Sequence, residues 1–254
     1  MRLIELPAYG GAAARVALRP LNGADEMSLA GTDVPAMLDL LARLATRSEG
    51  GALALSELSI AQTDRLLAAL YQRLYGDNAE CRVRCSGCAQ GYEFNLDLAQ
   101  IQRAQDADQP AHTEAGGGWR LADGRRVRAP RYADLEAADN SHALLSRLLL
   151  SGDIEPAPER ISEFLERAAP VLSLDLAAPC PHCGRAETVR FDLARYLAQR
   201  LVAERPFLLR EAHLMASRYG WSHAEIMALP RDDRRAYARL IESERAGALR
   251  RRAG

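Results

Sequence analysis

The sequence predicts an α+β fold: a zinc-ribbon-like knuckle with short β-hairpins, surrounded by helices and followed by a helical C-terminal region. Three observations carry that expectation. Two CxxC units, Cys85-Ser-Gly-Cys88 and Cys180-Pro-His-Cys183, stand far apart in the chain. Each feeds a strand-like stretch that ends in Asp-Leu-Ala, over residues 92–99 and 188–194. From Asp192 onward the apolar residues fall at helical spacing.

Composition sets the outer limits. A chain of 254 residues with 48% hydrophobic content can bury a sizeable core. Its 33 basic and 34 acidic residues leave a net charge of -1. That balance argues against a global attraction to nucleic acid or anionic lipid. All the basic residues are arginine, which codon bias in a GC-rich genome accounts for. No apolar run approaches the roughly 18 residues that cross a bilayer. Glu5 and Pro7 interrupt the start of the chain where a signal peptide needs continuous apolar sequence. A cytoplasmic protein is therefore expected, and in that reducing compartment five cysteines read as metal ligands rather than disulfides.

The elements follow in order. The first thirty residues read as short strands, with alternation over 15–19 and turn chemistry at 21–25. Residues 33–47 form a helix through Val34, Met37, Leu38, Leu41 and Leu44. Ser59 and Gln62 make a capping box that opens a longer helix through Leu66, Leu67, Leu70, Tyr71 and Leu74, closed by Gly76. After the first knuckle, residues 103–118 read as a polar loop containing His112. Its Gly116-Gly-Gly118 lacks the Lys and Ser/Thr of a phosphate cradle and reads as a hinge. Residues 119–128 predict a hairpin about Asp123-Gly124. Helical patterns cover 132–150 and 158–169, and 172–176 is a strand leading into the second knuckle. Gly220 then closes a helix, Ser222 and Glu225 form a second capping box, and Pro230 opens a last helix through Tyr237, Leu240 and Ile241. The basic tail from Arg245 is expected to fray. The organisation read from this is 1–58, an N-terminal strand and helix region; 59–98, a helix plus the first knuckle; 99–170, an insertion; and 171–254, the second knuckle plus a C-terminal helical hairpin.

A tetrahedral thiolate site needs four sulfurs about 2.3 Å from the metal, and a CxxC turn presents two of them without strain. Cys85, Cys88, Cys180 and Cys183 are therefore the expected ligands of one structural Zn²⁺. Cys81 is an alternative, since Cys81/Cys85 could replace Cys85/Cys88 as the first hook. A thioredoxin-like redox role fits poorly, because neither CxxC opens a helix in a βαβ unit. His223-Ala-Glu225 and Pro179-Cys-Pro-His-Cys183 imitate the signature of zinc deaminases, but in reversed order. Four thiolates would also leave no open position for an activated water. No catalytic residue is expected, and no small-molecule substrate.

The C-terminal tract Tyr219-Gly-Trp-Ser222, Glu225-Ile226, Leu229-Pro230, Arg234-Arg235 and Tyr237 follows Cys180-Pro-His-Cys183-Gly184 and Phe191-Asp192. With Leu74-Tyr75-Gly76, Leu121-Ala-Asp-Gly124-Arg-Arg-Val127 and Ala133-Asp134-Leu135, it resembles the baseplate proteins of T-even-type contractile phages and their relatives in contractile injection systems. The resemblance covers roughly residues 60–245, and the N-terminal sixty match nothing nameable. It implies a non-enzymatic structural or assembly role through contacts with baseplate or tail proteins, with possible incorporation in a phage-tail-like particle. The expected contact residues are Tyr219, Trp221, Arg231, Arg234, Arg235 and Tyr237, because aromatic and arginine side chains dominate interface energetics. The alternative is a zinc-ribbon nucleic-acid-binding regulator using the same helical hairpin, kept open by the C-terminal arginines and disfavoured by the near-neutral charge. No membrane partner is expected.

Overall fold

The computed structural model describes residues 2–9, 14–108 and 117–253. The polar-loop residue His112 and the first glycine of the expected hinge, Gly116, lie outside the described residues. The elements in chain order are β1 (Arg2–Leu6), β2 (Ala14–Leu18), α1 (Gly23–Ser28), α2 (Val34–Leu44), β3 (Ala45–Arg47), α3 (Ile60–Tyr75), β4 (Asn78–Arg84) and β5 (Gly91–Asp97). Then come α4 (Leu98–Ala107), β6 (Trp119–Arg120), β7 (Arg126–Val127), α5 (Tyr132–Glu136), α6 (Ser141–Leu148), β8 (Leu149–Ser151) and α7 (Pro158–Ala168). The chain finishes with β9 (Ser173–Ala177), β10 (Thr188–Asp192), α8 (Leu193–Ala203), α9 (Arg205–Tyr219), α10 (His223–Ala228) and α11 (Arg231–Ala253). This is a mixed α and β protein with small sheets, β1-β2-β3, β4-β5, β6-β7-β8 and β9-β10, and a helical C-terminal region. No helix among the described residues is long and apolar enough to cross a membrane.

The chain divides into two compact units: residues 1–2 with Leu18–Ala45 and Ala194–Gly254, and Leu3–Ala17 with Thr46–Leu193. In the first unit, Asn22 and Asp25 satisfy each other's backbone N–H groups in a capping box that opens α1. The expected turn at 21–25 is thus a helix start, because an Asn followed three residues later by a carboxylate caps as well as Ser and Glu do. Helix α2 buries Ala36, Met37, Leu40, Leu41 and Leu44, so the apolar stripe runs through Leu40 rather than Val34 and Leu38. Gly220 ends α9 with φ 68°, and the Ser222/Glu225 capping box opens α10. Leu208, Ala212, Leu214, Met215, Ile226, Met227, Ala238 and Ile241 form the apolar centre of this helical region. Gly23 lies so close to Met227 that a Cβ would stand 2.7 Å from its sulfur, so α1 can approach only without a side chain there.

In the second unit, α3 is buried on most of its circumference, from Ile60 through Tyr71. Its Ser59/Gln62 capping box and its closing Gly76, φ 81°, are where the local chemistry predicts them. Residues 103–107, expected in a loop, continue α4, as their Ala and Gln content favours. The expected helix over 132–150 is two helices, because Asn140 accepts the N–H of Ala143 and restarts the chain as α6. Its end, β8, pairs with β7 instead of continuing the helix. Tyr9 and Ala61 share one apolar cluster with Trp119, Leu121, Val127, Leu148, Ile161 and Leu165.

One buried contact ties α3 to the strand that enters the second knuckle. Asp64, 5% exposed, accepts the backbone N–H of Leu172 at 2.6 Å and faces the hydroxyl of Tyr132 at 3.5 Å. Burial is the main reason its carboxyl is raised to about 7, with Asp192 adding repulsion against the lowering effect of the Leu172 and Tyr132 contacts. The folded chain therefore holds a proton that the unfolded chain releases near pH 4. The contribution is fully present below that pH and is lost as the pH rises through about 7. Asp64→Asn keeps an acceptor for Leu172 and cannot ionise. Between pH 4 and 8 the wild type should lose stability relative to this variant, on the order of 4 kcal/mol at full effect. Parallel denaturant titrations of both proteins measure it, and a pH-independent difference would contradict it.

Candidate metal centre

Each CxxC unit sits at the tip of an antiparallel hairpin, and the two hairpins repeat one another. In the first, β4 and β5 pair from Asn78↔Asp97 to Arg84↔Gly91; in the second, β9 and β10 pair from Ser173↔Asp192 to Ala177↔Thr188. The Cys85 N–H donates to the Gln90 carbonyl, and the Cys180 N–H to the Arg185 carbonyl, both at 2.9 Å. The Cys85 and Cys180 carbonyls accept from Ala89 and Gly184, whose φ values are 60° and 72°. That left-handed step costs glycine little and alanine more, which is backbone strain held at the first knuckle. The shared Asp-Leu-Ala is the exit from hairpin to helix. Leu98 and Leu193 are buried, and their N–H groups close each hairpin onto Asp77 and Leu172. Asp97 caps α4 through the N–H of Gln100.

Folded in this way, the second unit brings together the Sγ atoms of Cys85, Cys88, Cys180 and Cys183, all within 4.8 Å of one another. Cys85 and Cys183 approach to 3.6 Å, and Cys88 and Cys180 to 3.7 Å, so each close pair crosses between knuckles. All five cysteines are free thiols, and these four could hold a metal ion. Cys81, the alternative ligand, stands outside the group. It is buried in β4 opposite Phe94, with its thiol directed to the Ala79 carbonyl at 3.9 Å.

The thiols are electrostatically unequal. Burial pushes the Cys180 thiol up, but N–H groups of Cys183 and His182 and the thiols of Cys85 and Cys88 bring it down to about 7. At Cys85 the N–H of Cys88 favours the thiolate, yet burial and the Cys180 and Cys183 thiols drive it to about 12. A cluster of this kind yields its first proton readily and the rest to a cation. Glu187, on the second hairpin, accepts from the N–H and hydroxyl of Ser86 at 2.9 and 2.7 Å. Those two bonds hold its carboxyl below the usual glutamate range. No sequence pattern signals this residue, because its partner is on the other knuckle.

The expected contact residues divide in the first unit. Tyr219, Trp221 and Tyr237 come together, with ring centroids 5.2 to 5.9 Å apart. Tyr219 is 39% exposed, while Trp221 and Tyr237 pack against the apolar centre. Arg231 and Arg234 are not surface residues: both are buried, at 2% and 1% exposed. They pair with Glu26 at 3.2 and 2.6 Å, and further with Glu204 and Glu211. Arg235 joins Glu204 and Glu211 at 3.2 and 3.6 Å and is only partly exposed. Phe207 and Leu209 are exposed apolar side chains that the sequence does not single out, and Leu240, expected on the apolar stripe of the last helix with Ile241, is exposed as well. Glu225 accepts from the Ser222 N–H and hydroxyl at 2.8 and 2.7 Å, so it is occupied as a helix cap. Comparison with protein-family models, with curated proteins and with solved structures finds no match.

Proposed function

We propose that this chain is a non-enzymatic, zinc-stabilised structural or assembly protein of a phage-type contractile tail or injection-system baseplate. The observation that carries the zinc reading is the four-thiol cluster. Sulfurs 2.3 Å from a tetrahedral centre lie about 3.8 Å apart, and the two cross-knuckle pairs stand at 3.6 and 3.7 Å. Four thiolates select a soft tetrahedral ion and saturate it, which suits a structural role and leaves no position for substrate. The ion would join hairpins contributed by distant parts of the sequence into a zinc-ribbon-like knuckle.

The baseplate assignment rests on the sequence resemblance, and the first unit supplies a surface in keeping with it. Phe207, near the start of α9, and Tyr219, its last residue, are exposed, and aromatic side chains of this kind anchor protein partners. The nucleic-acid alternative is weakened, because Arg231 and Arg234, two of the C-terminal arginines it would use, are internal ion-pair partners. The test is co-purification with the baseplate and tail proteins of the same system. Phe207→Ser should weaken capture without lowering the melting temperature, whereas Tyr219→Ser should weaken capture and also loosen the ring cluster with Trp221 and Tyr237. Capture unaffected by both changes would discard this surface. Steeply salt-dependent binding to DNA, with no protein partner, would favour the regulator instead.

A further inference from the structure

We propose that Glu187 is the positioning residue of the metal centre: its carboxylate locks the Cys85 knuckle onto the Cys180 knuckle and sets how tightly the metal is held. This rests on the reading of the four cysteines as a metal site. Glu187 is anchored in its own hairpin, where its carbonyl accepts the N–H of Ala178 at 2.9 Å. Its side chain leaves that hairpin, and one oxygen, Oε1, accepts both donors of Ser86 while standing 3.5 Å from the Cys85 sulfur. Ser86 directly follows a ligand, so fixing its N–H fixes the backbone that aims Cys85.

Two further contacts brace the same joint. The Tyr92 hydroxyl of the first hairpin donates to the Ala178 carbonyl of the second at 2.5 Å. Arg185, 3.5 Å from the Glu187 carboxylate, lies across Gly87 so closely that a Cβ there would stand 2.8 Å from its Cδ. The knuckles are thus held in register by protein contacts as well as by any shared ion. Groups that orient metal ligands in this way typically change affinity by about 10- to 100-fold when removed.

The experiment is competition between the full chain and a chromophoric chelator for zinc, with cobalt spectra to report geometry. Glu187→Ala should keep one zinc per chain and a tetrahedral thiolate spectrum, but bind about 10- to 100-fold more weakly. Glu187→Gln, whose amide oxygen can still accept from Ser86, should recover most of the affinity. Ser86→Ala, which leaves the fold of the second hairpin untouched, should weaken binding about tenfold and keeps the test open if the alanine variant fails to fold. Arg190→Ala, which removes the exposed pair with Asp175 and the bond to the Ser173 hydroxyl at the far end of the same hairpin, should leave the affinity unchanged. Unchanged affinity in Ser86→Ala and Glu187→Ala, with zinc-loaded wild type, would overturn the positioning role alone. A wild type that takes up neither zinc nor cobalt would overturn the metal reading and this inference with it.

Discussion

Cys180→Ser should abolish metal binding and unfold the second unit. The expected change is from one zinc per chain to none, with the loss of cooperative structure in both hairpins. Structural zinc sites contribute about 10 to 16 kcal/mol of apparent binding free energy at neutral pH, and that energy is folding energy when the unfolded chain has no preformed site. Small domains have only about 5 to 15 kcal/mol of net stability, so loss on this scale is not survivable. The variant leaves three thiols around a hydroxyl, and the cross-knuckle pair with Cys88 is broken. Native mass spectrometry gives the stoichiometry. Hydrogen exchange over 78–97 and 173–192 shows whether both hairpins open together.

The matching control is Cys81→Ser, which should retain one zinc, because Cys81 is buried in β4 outside the sulfur cluster. In the zinc-loaded wild type its thiol should react only on unfolding. A strong chelator should reproduce the Cys180→Ser exchange pattern in the wild type, and added zinc should reverse it. A Cys180→Ser protein with wild-type exchange protection, unaffected by chelator, would remove the structural role of the site.

The four-cysteine cluster was legible because a CxxC turn is local chemistry: two thiols, a glycine-tolerant backbone and a strand on either side. The choice between Cys81 and Cys88 was harder to read, since it depends on where β4 stops. The backbone places Cys81 within the paired strand and Cys85 past its end. Capping chemistry was equally readable at Ser59, Gly76, Gly220 and Ser222, where the signals are within four residues of each other. At Asn22 the same kind of signal competed with the turn preference of Asn-Gly, and the carboxylate of Asp25 decided it.

What stayed hidden was set by distant partners. Leu149 and Leu150 look helical in isolation, yet Leu149 pairs with Val127 across the chain. Arg231 and Arg234 look like a solvated basic face, because nothing nearby in sequence shows that α1 brings Glu26 between them. Glu187 sits beside the second knuckle and contacts the first. Each of these needs the tertiary fold before its role exists.

Glu26→Leu should cost the first unit about 3 to 5 kcal/mol, far more than loss of a surface charge. Glu26, Arg234, Glu211, Arg235, Glu204 and Arg231 form a closed ring of alternating charge, each joined to the next. The side chains of Glu26, Arg231 and Arg234 are 3% exposed or less. Glu26 accepts from both arginines at once, so its removal leaves two buried guanidinium groups with one partner fewer and no water to replace it. The exposed pair Arg210–Glu242, at 2.8 Å, gives the contrast. Glu242→Gln should cost less than about 1 kcal/mol and lose even that in high salt. Replacing Glu26, Arg231 and Arg234 together with apolar residues of similar volume removes the most deeply buried charges but leaves Glu204 and Glu211 with Arg235, so it should recover only part of the loss. Denaturant titration, with hydrogen exchange over α1 and the first turns of α11, measures all three. A Glu26→Leu protein within 1 kcal/mol of wild type would mean that water reaches the ring, and Arg231 and Arg234 would then return to the list of candidate contact residues.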